Sequence, residues 1–443
     1  MITRIAFFLV LFLAQARNIY AYSTIDINSG NVDPIPIALN DFYNNAGGDN
    51  IEGRKILEVI TQDLYSSGVF RPISKAAFIE NKIGVKHKPL FAAWKQINAN
   101  LLLNGEITST TSGKLYVKFV LWDTILETQV LSESFLLPAK LWRRVAHKIS
   151  DSIYKQVTGN EGYFNTRIVY VSETGKYLKR IKRLAIMDQD GANHQYLTDG
   201  SDLVLTPRFS PDRRKILYLS YKKKRPQIYL LDLNTGKTKA LGHFPGMSFA
   251  PRFSPDGDHV LMSITKGDDT HIYEMHLRSK KMRQLTSGPS INTSPSYSPD
   301  GRYIAFNSDR TGTRQIFVMD RMGGNVRQLS RGKGAYTEPS WSNGNLIAFT
   351  KISSSLGFTI GVMRPDIDNA TSNERIITTG YLVESPAWAD NGRVLVFTKG
   401  QRPKGNKNKN LNRIHMMDFT GYNERIIPTP HDASDPDWSK PID

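Results

Sequence analysis

The 443-residue chain has no cysteine, which excludes disulfide scaffolds, thiol nucleophiles and thiolate metal sites. It also lacks a Gly-x-Ser-x-Gly elbow, a P-loop, a dinucleotide-binding glycine fingerprint and a His-Glu-x-x-His pair. The familiar signatures of serine hydrolases, nucleotide enzymes and zinc peptidases are therefore missing. Long apolar runs are scarce as well. One stretch, Ile5 to Ala14, is unbroken, and it is short of the roughly 20 residues a membrane span requires. Negative charge is the other shortage: 58 Lys and Arg stand against 41 Asp and Glu, a formal net charge of +17 and a pI near 9.7. Such a balance favours acidic partners, whether nucleic acid, an anionic membrane surface or an acidic protein patch. The basic residues are spread along the chain and rarely interleave with aromatics, so nucleic acid is not an expected partner. The basic tract KGQRPKGNKNKN at 399–410 reads as a solvated hairpin loop.

The apolar run follows Arg4 and is followed by small-residue sites at Ala14-x-Ala16 and at Ala21. These are the three parts of a secretory signal peptide, and residues 1–21 are read as that leader, cleaved after Ala21 or Ala16. No cysteine follows the run to accept a lipid. The expected product is an exported protein without a membrane span, placed in the periplasm of a double-membrane cell.

Residues 22–32 are polar, with spaced Ile25, Ile27 and Val32, and read as an N-terminal arm. A small mixed α/β domain is expected over 33–157. DPIPIALNDF is extended because its prolines disfavour helix before them. Ile56, Val59, Ile60 and Leu64 fall on one face of a helix over about 51–67, with Gly68 as C-cap. Pro89 opens a second helix carrying Phe91, Trp94 and Ile97, strands run from Leu101 through ETQVLSESF, and Leu141, Val145, Ile149 and Ile153 mark a closing helix that ends at Gly159. The strand pair around Val117 and Leu121 alternates as a sheet covered on one side does. His87 and His147 stand alone, with no carboxylate at a suggestive spacing, and read as surface or helix-edge residues.

From about residue 165 the chain repeats. A Pro-x-aromatic-Ser start recurs at Pro207, Pro251, Pro295, Pro339, Pro386 and Pro436, and a Leu-Thr-like end at Leu197, Leu241, Leu285, Leu329, Ile377 and Ile427. Both marks keep a spacing of 44 residues that lengthens to 47–50 in the last units, a period typical of four-stranded propeller blades. The starts and ends are out of phase. The set from Arg167 to Thr198 has no start of its own, and the last start, DPDWS at 435–439, has no strands after it. Supplying one to the other gives a six-bladed β-propeller closed by the C-terminal strand over 158–443, with no open sheet edge. Asp212, Asp256 and Asp300 belong to recurring SPDG-type turns rather than to catalysis, with SNG at 342–344 and DNG at 390–392 as variants. HDASD at 431–435 precedes the closing strand, which argues against a metal site there.

A leader, a small α/β domain and a six-bladed propeller in that order, with the tight run NSDRTGTRQIFVMDRMGGNVRQLS at 307–330, resemble the TolB family of periplasmic propeller proteins. The resemblance covers the whole chain. It implies a non-enzymatic adaptor without cofactor or metal, in the Tol-Pal envelope complex, serving outer-membrane integrity and constriction at division. The implied partners are the peptidoglycan-associated lipoprotein Pal and TolA of the inner-membrane TolA-TolQ-TolR complex, with outer-membrane proteins as a further class. In this family Pal is bound at one propeller mouth and TolA through the N-terminal arm. Carried over by position, the mouth residues are Met247, Ala250 and Thr293, and Met247 replaces an expected histidine. The repeat itself adds Thr337, Glu338, Glu384 and Asp435 as loop residues before the other starts. The arm contributes Tyr22, Ile25, Asp26, Ile27 and Asn28. The alternative function is an exported propeller enzyme or a carbohydrate- or peptide-binding module, which calls for convergent carboxylates and aromatics in the central funnel.

Overall fold

A computed structural model describes residues 33–44, 50–80, 83–110, 112–175, 179–222, 225–242, 244, 246–366, 371–402 and 411–442. The leader, the arm and its five named residues, and most of the basic tract at 399–410 lie outside the described residues. The first part of the chain folds as β1 (Ile35–Tyr43), α1 (Ile51–Ser66), β2 (Phe70–Pro72), α2 (Phe91–Gln96), β3 (Leu101–Ser109), β4 (Lys114–Asp123), β5 (Thr128–Pro138) and α3 (Trp142–Thr158). These strands form one sheet in the order β2-β1-β3-β4-β5, parallel for the first three and antiparallel thereafter. Asn50 caps α1 by accepting the backbone N–H groups of Glu52 and Gly53 at 3.0 and 3.1 Å. Gly159, at φ 71°, ends α3 in the left-handed conformation that a residue without Cβ adopts freely.

The sheet is covered more fully than the strand alternation indicated. α1 and α3 pack on one face, and the α2 segment packs Trp94 with Ile83, Ala38 and Leu102 on the other. β1 and β3 are consequently apolar on both faces, as strands inside a layered α/β unit are.

Six four-stranded antiparallel sheets follow. Their innermost strands are Asp432–Trp438, Val204–Phe209, Met247–Phe253, Asn292–Tyr297, Ala335–Trp341 and Leu382–Trp388, here blades 1 to 6. The C-terminal strand is the inner strand of blade 1, paired with Arg167–Thr174 from Asp432 opposite Glu173 to Trp438 opposite Ile168. The first and last strands of the propeller thus meet in one sheet, as the complementary fragments required. Between blades the cores are aliphatic and aromatic, for example Ile304, Phe306 and Phe317 against Leu261 and Ile272.

The SPDG turns serve the turn chemistry expected of them. Ser254 Oγ bonds Asp256, and Asp256 accepts the backbone N–H of Asp258 at 2.9 Å, with Gly257 at φ 77°. Arg213 holds the same left-handed position where glycine is missing. In blade 5 the left-handed position, three residues after the serine as in the SPDG turns, is held by Asn345 and not by Gly344, and the Asn345 N–H donates to the Ser342 carbonyl. Asparagine tolerates that region through its short polar side chain, so the turn closes one residue later than SNG indicated.

The small domain and the ring share a continuous core, in which Tyr154 and Val157 of α3 pack with Tyr163, Phe164, Ile427 and Trp438. Because each inner strand runs from one end of the ring to the SPDG turns at the other, the small domain's propeller contacts locate it. Asn423 donates to Ser66 at 2.7 Å and Gln189 to Asp63 at 3.0 Å, both from turns at the SPDG end of blades 6 and 1. The opposite end, where the inner strands begin, carries none of these contacts.

Candidate functional site

The residues predicted as mouth loops are part of the innermost strands. Proline lacks the N–H that a central ladder needs, and each strand accommodates its proline by a bulge. Register breaks fall between Phe249 and Arg252, Thr293 and Ser296, Thr337 and Ser340, Glu384 and Ala387, and Ser434 and Asp437. The residue before each proline takes the left-handed conformation: Thr206, Ala250, Ser294, Glu338, Ser385 and Asp435 have φ between 47° and 57°. Six non-glycine residues in that region, one per blade, are a deliberate ring rather than isolated strain.

This ring is the throat of the channel. Thr206, Ala250, Ser294, Glu338 and Ser385 line a space of about 40 Å³. The bulge residues are laced from blade to blade. Glu338 accepts the Ser385 backbone N–H at 2.8 Å and the Thr350 hydroxyl at 2.8 Å, Ser385 Oγ donates to Asp435 at 3.2 Å, and the Thr206 N–H reaches Asp435 at 3.4 Å. Of the sequence-predicted residues, the structure brings Ala250, Glu338, Glu384 and Asp435 together in the throat. Met247 begins its strand at the rim and is 49% exposed. Thr293 accepts Asn307 at 2.7 Å, and Thr337 lies beside the Thr350 carbonyl at 3.5 Å. Ser385, Thr206 and Glu173 were not singled out from sequence, although Ser385 and Thr206 occupy the same position relative to their prolines as Ala250.

Charge at this end is unevenly shared. Glu384 lies among Glu338, Asp435 and Glu173, and its pKa is pushed up to about 7, first by burial and then by Glu338 and Asp435. Lys182 offsets part of this through Glu173 at 2.9 Å. Lower in the channel Asp437 is raised to about 6 by burial, opposed by Arg208.

A second cluster lies between small domain and ring. His147 of α3 is 2% exposed and bonds Asp63 of α1 at 2.7 Å, with Asp190 of blade 1 at 3.8 Å from the other ring nitrogen. This overturns the reading of His147 as an isolated surface or helix-edge histidine: the helix periodicity turned it inward, and its carboxylates come from distant chain segments. Burial opposes its protonation, but Asp63 and Asp190 prevail and raise its pKa. Asp63, His147 and Asp190 are the one group of possible metal ligands among the described residues. Both carboxylates already serve protein donors, since Asp63 also accepts Gln189 and Asp190 accepts Arg143. Burial also pushes the Asp63 pKa up, against the pull of His147, and the arrangement is a buried, hydrogen-bonded His–Asp joint. His87 is exposed, as expected.

The family comparison fits this architecture part by part. The description TolB beta propeller domain matches residues 154–442, and TolB amino-terminal domain matches 23–130. The chain belongs to the TolB family. Curated relatives include the Tol-Pal system protein TolB of Rickettsia bellii (strain OSU 85-389), 57% identical over 97% of this chain and 98% of the relative. That of Rickettsia rickettsii (strain Sheila Smith) is also 57% identical, over 98% of both. Among solved structures, TolB from Acinetobacter baumannii superposes with a TM-score of 0.80 at 29% identity, covering 92% of this chain and 97% of that one. The TolB-family architecture is thus shared along nearly the whole length. No helix among the described residues is long and apolar enough to cross a membrane.

Proposed function

We propose that this chain is a periplasmic, non-enzymatic adaptor of the Tol-Pal system. In this reading it holds the peptidoglycan-associated lipoprotein Pal at the strand-start mouth and TolA through residues 22–32, and so supports outer-membrane integrity and constriction at division. The observation that carries the reading is the full-length match to proteins named Tol-Pal system protein TolB. The geometry supports it. The mouth lies opposite the small domain, exposes Met247 at its rim and offers strand ends to a folded partner. Pal contacts are assigned to Met247, Ala250, Thr293, Thr337, Glu338 and Glu384.

The enzymatic alternative draws on the convergence of Glu338, Glu384 and Asp435. Small-molecule pockets run to about 300–1,000 Å³, whereas the throat has about 40 Å³ and the SPDG end of the channel, lined by Trp341, Trp388, Trp438 and Asp437, about 250 Å³. Glu338 is also engaged by Thr350 and Ser385. These features favour structural carboxylates over a substrate pocket.

The test is calorimetric titration of the mature chain with the soluble domain of Pal from the same cell. Met247→Glu should weaken binding by about tenfold or more, as an interface anchor does. Unchanged affinity would remove the mouth from the interface. Deleting residues 22–32 should abolish capture of TolA and leave the melting temperature and Pal affinity unaltered; retained TolA capture would discard the arm.

A further inference from the structure

At the SPDG end of blade 3, His259 and His276 are cross-strand partners with rings edge-to-face at 4.9 Å. The hydrogen bonds fix their tautomers. The Ser279 backbone N–H donates to His276 Nδ1 at 3.1 Å, and the Arg321 guanidinium donates to His259 Nδ1 at 3.0 Å. Neither donor can accept a proton in return, so both rings carry their hydrogen on Nε2. Two N–H donors therefore border an open hollow of about 440 Å³. The same tautomer disfavours a metal, because the ring lone pairs are already used.

The hollow is cationic. Glu274 is its one lining carboxylate, and it is already occupied by Tyr297 at 2.7 Å, Arg321 at 3.0 Å and Arg283 at 2.6 Å. Lys281 also lines the hollow, its chain neighbour Lys280 faces Lys239, and outside the lining Asp256 stands 3.7 Å from Arg321. Among the described residues none of these three lysines forms an ion pair. Burial and the neighbouring Lys239 push the Lys280 pKa down, as expected where like charges lack an anion. Two methionines flank the hollow, Met282 at 38% exposure and Met322 at 70%, the latter held by Arg283 against its sulfur. Basic side chains beside exposed flexible apolar ones match a lipid–water interface, where charge meets headgroups and apolar groups enter the layer beneath.

We propose that this flank of blades 3 and 4 docks on an anionic phospholipid surface. The headgroup phosphate is received by the imidazole N–H groups and Lys281, and Met282 and Met322 enter the interfacial layer. The small domain sits on blades 6 and 1, across the ring, and leaves the flank open. The strand-start mouth is at the other end of the blades, so a protein partner and a membrane are engaged together.

Because the chain has no cysteine, single Met322→Cys labelling of the full mature protein with a polarity-sensitive dye is clean. Vesicles containing phosphatidylglycerol should shift the dye to the blue, and phosphatidylcholine vesicles should not. A dye at Leu356→Cys, at the opposite end, should not respond to either. Lys281→Ala should weaken vesicle binding about fivefold, the contribution of one basic residue near an anionic surface, with unchanged melting. Equal binding to both vesicle types, or an unaffected Lys281→Ala variant, overturns the proposal. So does heat of binding from inorganic phosphate that depends on Lys281 while vesicles stay unbound, which would assign the hollow to a free anion. Pal binding is unaffected in every case, so this test and that of the adaptor reading fail separately.

Discussion

Two regions bury carboxylates and treat them differently. At the joint, burial raises the Asp63 pKa, but its carboxyl faces an imidazole 2.7 Å away and a Gln189 amide at 3.0 Å, so it is answered in place. At the throat, Glu384 faces Glu338 and Asp435, and the nearest compensation, Lys182, is committed to Glu173. The joint has the character of a structural fastening, made from three chain segments for one geometry. The throat holds surplus negative charge at the end of the channel open to a partner. A buried charge that is answered fixes structure; one left over stores free energy that a partner or a proton can release.

The sharpest way to break this contrast is at the joint. His147→Ala leaves Asp63 buried without its cation, and the loss should be about 3–5 kcal/mol of stability. Urea unfolding at neutral pH measures it. A loss below about 1 kcal/mol would show that Asp63 is neutral in the wild type and that the joint is not ionic.

The joint is also where sequence reading was weakest, for a physical reason. The closing helix was correctly legible from Leu141, Val145, Ile149 and Ile153, but the partner of His147 is 84 residues away in α1. Only the packing of α1 on α3 and the docking of blade 1 bring Asp63 and Asp190 to it. The propeller, by contrast, was legible because each blade repeats its own local chemistry. Proline, aromatic and turn residues recur at fixed intervals, and even the closure by DPDWS followed from counting. What the repeat did not disclose was backbone conformation. Thr337 and Glu384 read as loop residues because they precede the Pro-x-aromatic-Ser start, whereas the strand begins earlier and continues through a bulge whose left-handed residue carries no constant side chain: Thr206, Ala250, Ser294, Glu338, Ser385 and Asp435 share only a position.

At the throat the contrast can be sharpened by pH. Glu384 has an ordinary pKa of 4.5 and a folded one of about 7. Between these values the folded state binds more protons than the unfolded one, so stability falls as pH rises through that window. Asp437, raised to about 6, and Asp151, raised to about 7 chiefly by burial, act in the same sense. Glu384→Gln should therefore stabilise the protein at pH 7.5 by on the order of 2 kcal/mol and make little difference near pH 4.5. Urea melts at the two pH values check this, and an equal effect at both would show that the residue acts through packing instead of charge. A smaller effect, about 1 kcal/mol of destabilisation, is expected for Ser385→Ala, which loses its hydroxyl bonds to Asp435 and Glu338 while the backbone bond to Glu338 persists.

The smallest effect separates backbone strain from side-chain lacing within the throat. Ala250 holds φ at 49° with a methyl group that makes no hydrogen bond, and a Cβ in this region costs about 1 kcal/mol or more. Glycine would remove that cost but add unfolded-state entropy, so Ala250→Gly should stabilise by about 0.5 kcal/mol. Asp435 sits at φ 53° in the equivalent position, and there the side chain accepts from Ser385 and Thr206. Asp435→Gly should consequently destabilise, although the backbone relief is the same. Thermal melts of the two variants decide between the terms. Opposite signs would establish that blade-to-blade bonding outweighs strain where the bulge residue is polar, and equal stabilisation would mean the lacing contributes little.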